Sequence, residues 1–334
     1  MPHGETFFYQ VWKRGITLQL KEPTSYEKQI VLIRKKGFLI SRQEESECIQ
    51  FLKRVNYYRI SAYFLPFRRK EGGYLSNITF SRIQKIYEFD SRLRGLIFST
   101  IEDIEINIRA KLAYFAAHKY GALGYLNEDM FSDRHNSMRF REKIRSCIEE
   151  NASTLVVKHH KENYDGQFPI WVIIEFFSVG MLSYFYKDML AEDKKAIAAD
   201  MDTVPKLLES WLRCLTDLRN KCAHYSRLYY WIFPAMPAIP KNSMVHADRT
   251  LFTQLLVLKY LYPEPDKWES RFVIPLKAMI EEYEKDISLH HIGFPVEWES
   301  LLCFSKNERT VNQTENASLW KAAGSFHPRI RQLD

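Results

Sequence analysis

"SRIQKIYEFDSRLRGLIFSTIEDIEINIRAKLAYFAAHKYG", residues 81 to 121, is the stretch from which the fold is read. Ile83, Ile86, Leu93, Ile97, Ile101, Ile104, Ile108, Leu112 and Phe115 recur at three- and four-residue spacing and keep one face apolar until Gly121. At about 1.5 Å of rise per residue the pattern predicts a single helix approaching 60 Å, the spine of a helical bundle. Upstream, Ser41 and Glu44 match a capping box, and Cys48, Phe51, Leu52 and Val55 follow at helical spacing. Downstream, "FPIWVIIEFFSVGMLSYFY" (168 to 186) predicts one central helix near 170 to 190, apolar around most of its circumference, with Pro169 in the first turn. "DMDTVPKLLESWL" (200 to 212) predicts another near 205 to 225, capped by Asp202 or Thr203. Three prolines in "IFPAMPAIPK" make 233 to 241 a loop, and a last clear helix runs from about 249 to 261. The chain is therefore expected to be all-α. Its divisions are a basic, aromatic-rich helical region over 1–80, a bundle over 81–262, and a C-terminal helical region and tail over 263–334. The final thirty residues are polar and weakly patterned and are expected to be loosely ordered.

Composition narrows the function class. The chain has 334 residues and a net charge of +7. Residues 1 to 70 hold 14 basic and 6 acidic side chains, 14 − 6 = +8, so the excess is concentrated at the N-terminal end. A local basic face attracts polyanions, although it also serves as a solvated exterior. No stretch approaches the roughly 20 apolar residues needed to span a bilayer, and the N-terminus lacks an apolar run after its charges. A cytoplasmic protein with no membrane partner is expected. Cys48, Cys147, Cys214, Cys222 and Cys303 are scattered and odd in number, without zinc-ligand spacing. That argues against disulfides and against a metal or other cofactor.

The chemistry-bearing stretch is "DLRNKCAHYSR", residues 217 to 227. At 100° per residue Arg213, Asp217, Asn220 and Lys221 fall within about 60° of His224, a polar stripe. Leu208, Trp211, Leu212, Leu215, Leu218 and Cys222 lie opposite, and Arg219 projects with them. An arginine carried to the apolar side needs a carboxylate, a helix distortion or an anion in a cleft. A bare Arg-x4-His is expected by chance roughly 0.7 times in such a chain, and requiring Asn after the Arg lowers this to roughly 0.02. The structural alternative is that Arg219 bridges to Glu102 or Glu105 and that His224 is a cation at a helix C-terminus. Glu105 and Arg109 have the spacing of an ordinary helical ion pair.

"RNKCAH" resembles the Arg-Asn-x3-His signature of HEPN domains. "VNYYRISAYFLPFRR" (55 to 69), "YEFDSRLRGLIFSTIEDIEINIRAKLAYFAAHKYG" (87 to 121), "FPIWVIIEFFSVGMLS" (168 to 183) and "LRNKCAHYSRLY" (218 to 229) resemble, in order and spacing, bacterial abortive-infection proteins of the AbiD/AbiF type. The similarity covers roughly residues 25 to 262, and the C-terminal seventy residues fall outside it. It implies a HEPN-like helical bundle and a metal-independent endoribonuclease acting in antiphage defence or as a toxin. Arg219, Asn220 and His224 are then the catalytic set, and RNA is the substrate. Some relatives of this kind act beside a small noncoding RNA, and some HEPN proteins keep the bundle without activity. The chemistry fits the residue types. The 2′-hydroxyl of RNA attacks its own phosphorus when histidine moves protons and a guanidinium neutralises the phosphorane. Because HEPN nucleases build one cleft from two domains and this chain carries one motif, the resemblance implies a homodimer.

In "FLKRVNYYRISAYFLPFRRK", Lys53, Arg54, Arg59, Arg68, Arg69 and Lys70 alternate with Tyr57, Tyr58, Tyr63 and Phe67. The mixture suits phosphate contact and base stacking, so Lys53, Arg54, Tyr57, Tyr58, Arg59, Arg68 and Arg69 are candidate RNA-binding residues. The alternative is a hydrophobic wedge whose aromatics pack on the long helix while the charges face solvent. Two functions stand at this point: a homodimeric endoribonuclease, or a non-catalytic HEPN-like RNA-binding or regulatory module.

Overall fold

The computed structural model describes residues 22–241 and 243–304. Among them the chain is helical, with three isolated β-bridges and no sheet. It divides into two compact units, one ending at Arg82 and the other beginning at Ile83. The expected loose tail over the final thirty residues lies outside the described residues.

The first unit contains α1 (Tyr26–Lys35), α2 (Glu45–Arg54) and α3 (Tyr57–Ser61), followed by a 3-10 segment Ala62–Phe67. The capping box forms as expected: Ser41 Oγ accepts from the Glu44 N–H at 3.2 Å, and Glu44 Oε2 accepts from the Ser41 N–H at 3.0 Å. Cys48, Phe51 and Leu52 of α2 are buried, with Ile30, Ile33, Phe38, Tyr63, Phe64 and Phe67.

α4 (Phe80–Tyr120) is the long helix read from the sequence, and Gly121 ends it at φ 79°, in the left-handed region that glycine enters without steric cost. Ile83, Ile86, Leu93, Ile97, Ile101, Ile104, Ile108 and Leu112 are all buried, while Phe115 is only half-buried. Beyond it lie α5 (Ser137–Glu150), α6 (Leu155–Asn163), α7 (Ile170–Ile173), α8 (Val179–Asp188), α9 (Ala191–Ala199), α10 (Pro205–Ala223), α11 (Leu251–Leu261), α12 (Pro265–Trp268), α13 (Ile274–Tyr283) and α14 (Trp298–Leu302).

Two local expectations are corrected. The helix expected over 170–190 is broken: α7 gives way to a 3-10 turn at Ile174–Phe176, Phe177 is extended, and Ser178 caps α8 by accepting the Met181 N–H at 3.3 Å. A serine in extended backbone offers the next helix an acceptor, which favours a new start over continuation. Nor do Asp202 and Thr203 cap α10. Their backbone N–H groups bond Ala199 and Ala198 at the end of α9, Asp202 sits at φ 51°, and Val204 precedes α10 without a side-chain cap. Pro205 at the first turn lacks an N–H, so one unpaired donor is absent from the start.

Candidate functional site

α10 buries Leu208, Trp211, Leu212, Cys214, Leu215, Leu218 and Cys222 and packs on α8, α9 and α11. Its other side carries the expected polar stripe, with Arg213, Asn220 and His224 exposed and Asp217 and Lys221 half-buried.

Arg219 leaves α10 toward α4. Its Nε lies 3.9 Å from Glu105 Oε2, and its guanidinium carbon 5.9 Å from the centre of the Phe98 ring. Glu105 is also paired with Arg109, whose Nη2 donates to the Phe177 carbonyl at 2.9 Å, the group freed by the helix break. One carboxylate thus sits between two guanidiniums, so Arg219 enters the bundle without an uncompensated charge. Of the two acids weighed from the sequence, Glu105 is the partner and Glu102 is not. A separation of 3.9 Å is loose for an ion pair. Nε is buried without a hydrogen bond, so the 31% exposure of the side chain lies on its other atoms.

His224 is the C-cap residue, with φ −90° and its N–H bonded to the Asn220 carbonyl at 3.0 Å; its ring is exposed. Five positions at 100° place Arg219 and His224 about 140° apart around α10. A single chain therefore sends the two side chains to different sides of the helix.

The helix ends in a Schellman arrangement. The Tyr225 N–H bonds the Cys222 carbonyl at 3.0 Å, and the Ser226 N–H bonds the Lys221 carbonyl at 2.9 Å. The left-handed position that glycine normally takes is held by Tyr225 at φ 54°. For a residue with a Cβ this conformation costs roughly 1–2 kcal/mol. The following segment is pinned by two side chains of α4. The buried Asp90 carboxylate accepts the N–H groups of Leu228 and Tyr229, at 3.1 and 2.8 Å, and Nη1 of Arg94 at 2.5 Å; Arg94 also reaches the Ser226 carbonyl at 3.4 Å. Sequence reading did not assign Asp90 and Arg94, although a signal was present: both fall on the apolar stripe of α4, four residues apart.

Lys221 folds its ammonium against the indole of Trp231, 3.1 Å from the ring centre. Burial and the Arg227 charge pull its pKa down to about 8, opposed by Asp217, whose own pKa is raised by burial. Below pH 8 both folded and unfolded chains carry the proton. Between about 8 and the ordinary 10.5 only the unfolded chain does, so the contribution of this group to stability improves as pH rises through that window. Lys221 should accordingly react with amine-directed acylating reagents along a pH profile that turns near 8. Mass-spectrometric labelling that rises in step with the other lysines, near pH 10.4, would contradict this environment.

In the first unit, Lys53, Arg54, Arg68 and Arg69 are exposed and Arg59 is half-buried. The aromatics divide. Tyr63 and Phe67 are core, Tyr57 is half-buried with Lys36 Nζ 5.3 Å from its ring centre, and Tyr58 is 86% exposed. Burial removes Tyr63 and Phe67 from a stacking surface and leaves Tyr58 on it. Among the described residues no group of three or more His, Cys, Asp or Glu side chains is placed to hold a metal ion, and no helix is long and apolar enough to cross a membrane.

Fold and site define an all-helical protein in which one amphipathic helix ends on an exposed histidine and sends an arginine inward to a glutamate. Residues 50–230 match the family model described as Abi-like protein, and the chain belongs to that family. No curated protein and no solved structure matches it.

Proposed function

We propose that this protein is a metal-independent endoribonuclease of an abortive-infection system, with a HEPN-like bundle and a cleft shared between two copies of the chain. Membership of the Abi-like family supports the abortive-infection role. The observation that carries the nuclease reading is the state of the Arg-Asn-x3-His residues: His224 and Asn220 open to solvent at a helix end, and Arg219 only loosely held by Glu105. In this reading His224 transfers protons to and from the 2′-hydroxyl and the leaving 5′-oxygen, Asn220 orients the imidazole or binds a phosphate oxygen, and Arg219 neutralises the phosphorane. The 140° divergence of Arg219 and His224 favours a second chain completing the site. Phe98, an exposed apolar residue of α4 whose ring lies near the Arg219 guanidinium, offers a surface for it. The Arg219–Glu105 pair itself favours the second reading, a non-catalytic RNA-binding or regulatory module acting with a noncoding RNA.

Incubating the protein with total cellular RNA in EDTA separates the two. The nuclease gives fragments with 2′,3′-cyclic phosphate and 5′-hydroxyl ends; intact RNA, or 5′-phosphate ends only, would reject it. The first unit is assigned phosphate contacts. Replacing Arg54, Arg59 and Arg68 by Gln is expected to weaken RNA binding and flatten the slope of log K against log salt by up to about 3. An unchanged slope would remove these residues from the interface.

A further inference from the structure

We propose that Arg109 is a positioning residue of this site: by occupying the Glu105 carboxylate it leaves Arg219 aimed by that carboxylate yet free to take an RNA phosphate. The inference rests on the ribonuclease reading and adds how its guanidinium is kept available. Glu105 and Arg109 are four residues apart on α4, the spacing at which a glutamate and an arginine meet on one helix face. They are bonded through Glu105 Oε1 and Arg109 Nη2, and the same nitrogen donates to the Phe177 carbonyl at 2.9 Å. A guanidinium Nη carries two N–H donors, so both donors of this nitrogen are used within the chain. The side chain is also largely buried. Arg109 is thus fastened at its tip and is poorly placed to meet an external phosphate.

Arg219 is held in the opposite way. Glu105 offers it the second oxygen, Oε2, at 3.9 Å from Nε, beyond hydrogen-bond reach, and its guanidinium makes no hydrogen bond to another described residue. An inward arginine of similar exposure is bonded closely elsewhere in the bundle: Arg271 donates to Asp103 at 3.0 Å and to the Ser99 carbonyl at 2.9 Å. The difference follows from charge. Arg109 neutralises the carboxylate that would otherwise draw Arg219 in, and the two guanidiniums repel each other. Two guanidiniums around one carboxylate leave one positive charge in excess, which an anion balances. Arg219 is the more exposed of the two arginines, 31% against 15%, so the anion meets Arg219. A phosphate offers it the close paired oxygens that Glu105 does not. Without Arg109, Glu105 would turn to Arg219 and hold it as a closed ion pair, and the site would lose its phosphate ligand although no residue that touches RNA had been changed.

The test takes as parent the full chain carrying His224→Ala, so that RNA is bound and not cut. Affinity for a fluorescent single-stranded oligoribonucleotide of about ten nucleotides is measured by anisotropy across a salt series, each variant well below its own melting temperature. Adding Arg219→Ala should weaken binding about tenfold and reduce the slope of log K against log salt by about 0.7, one phosphate contact. Arg109→Met is expected to reproduce both changes, and in the Arg219→Ala background to add neither. Joining Glu105→Gln to Arg109→Met should return the slope and bring the affinity within about twofold of the parent, because no carboxylate is left to take Arg219. An unchanged slope for Arg109→Met overturns the assignment, since a residue that only supports the fold leaves the number of phosphate contacts as it was. A further loss of slope in the Arg219→Ala background also overturns it, by making Arg109 a phosphate ligand in its own right. So does a Glu105→Gln change that fails to rescue. Each of these leaves the ribonuclease reading standing. A parent that binds no RNA, or an Arg219→Ala protein with the parent's slope, overturns both.

Discussion

His224→Ala is expected to lower metal-independent RNA cleavage by a factor of about 10² to 10⁴, the usual contribution of a general acid or base. Arg219→Ala should cost a similar factor through the phosphorane. Neither change should unfold the chain. His224 is exposed at a helix end, and removing Arg219 leaves Glu105 still paired with Arg109. Cell toxicity should disappear with the cleavage, and the association state should not. A loss of only two- or threefold would assign His224 to structure. Mixed dimers then examine the shared cleft. Arg219 and His224 leave α10 on different sides, so a wild-type chain paired with a doubly substituted chain should cut far more slowly than half the wild-type rate. A mixed dimer at fully half activity would mean each chain carries a complete site.

Asp90→Asn should destabilise the protein by about 3–5 kcal/mol, the typical penalty for leaving one partner of a buried ion pair uncompensated. Asp90 is fully buried and receives Arg94 together with two backbone N–H groups of the segment behind His224. An asparagine presents one acceptor where two oxygens are used, and turns an amide donor toward the guanidinium or the N–H groups. The melting temperature should fall by roughly 10 °C. Cleavage should fall beyond what unfolding explains, because the pinned segment begins two residues past His224. Replacing both partners, Asp90→Asn with Arg94→Met, should recover much of the stability and none of the segment's anchoring. A single variant less than about 1 kcal/mol below wild type would show that Asp90 does not hold this segment.

The sequence by itself determined the helical class, the 41-residue helix and its stop at Gly121, the buried and polar faces of α10, and the proline break after it. Each is a local property: apolar spacing fixes which face must leave water, and glycine and proline constrain their own backbone. The tertiary structure decided the rest. Asp90 and Arg94 share the buried stripe and compensate each other as an i, i+4 pair, but the backbone that the carboxylate holds lies 138 residues away and is supplied by the tertiary contact. Glu102 and Glu105 were equal candidates until the packing of α4 and α10 selected Glu105. The break at Phe177 was hidden because its flanks are apolar all round, and its consequence, a free carbonyl for Arg109, exists only once α4 lies beside it. Tyr225 carried no signal, since a left-handed C′ residue is read from glycine or asparagine. Its conformation accompanies the bonds of Tyr225 and Ser226 to the Cys222 and Lys221 carbonyls, and the segment beyond is held by Asp90. Local pattern set the helices, apart from the break at Phe177; which charge meets which depends on contacts between helices far apart in sequence, and those contacts set the geometry around His224.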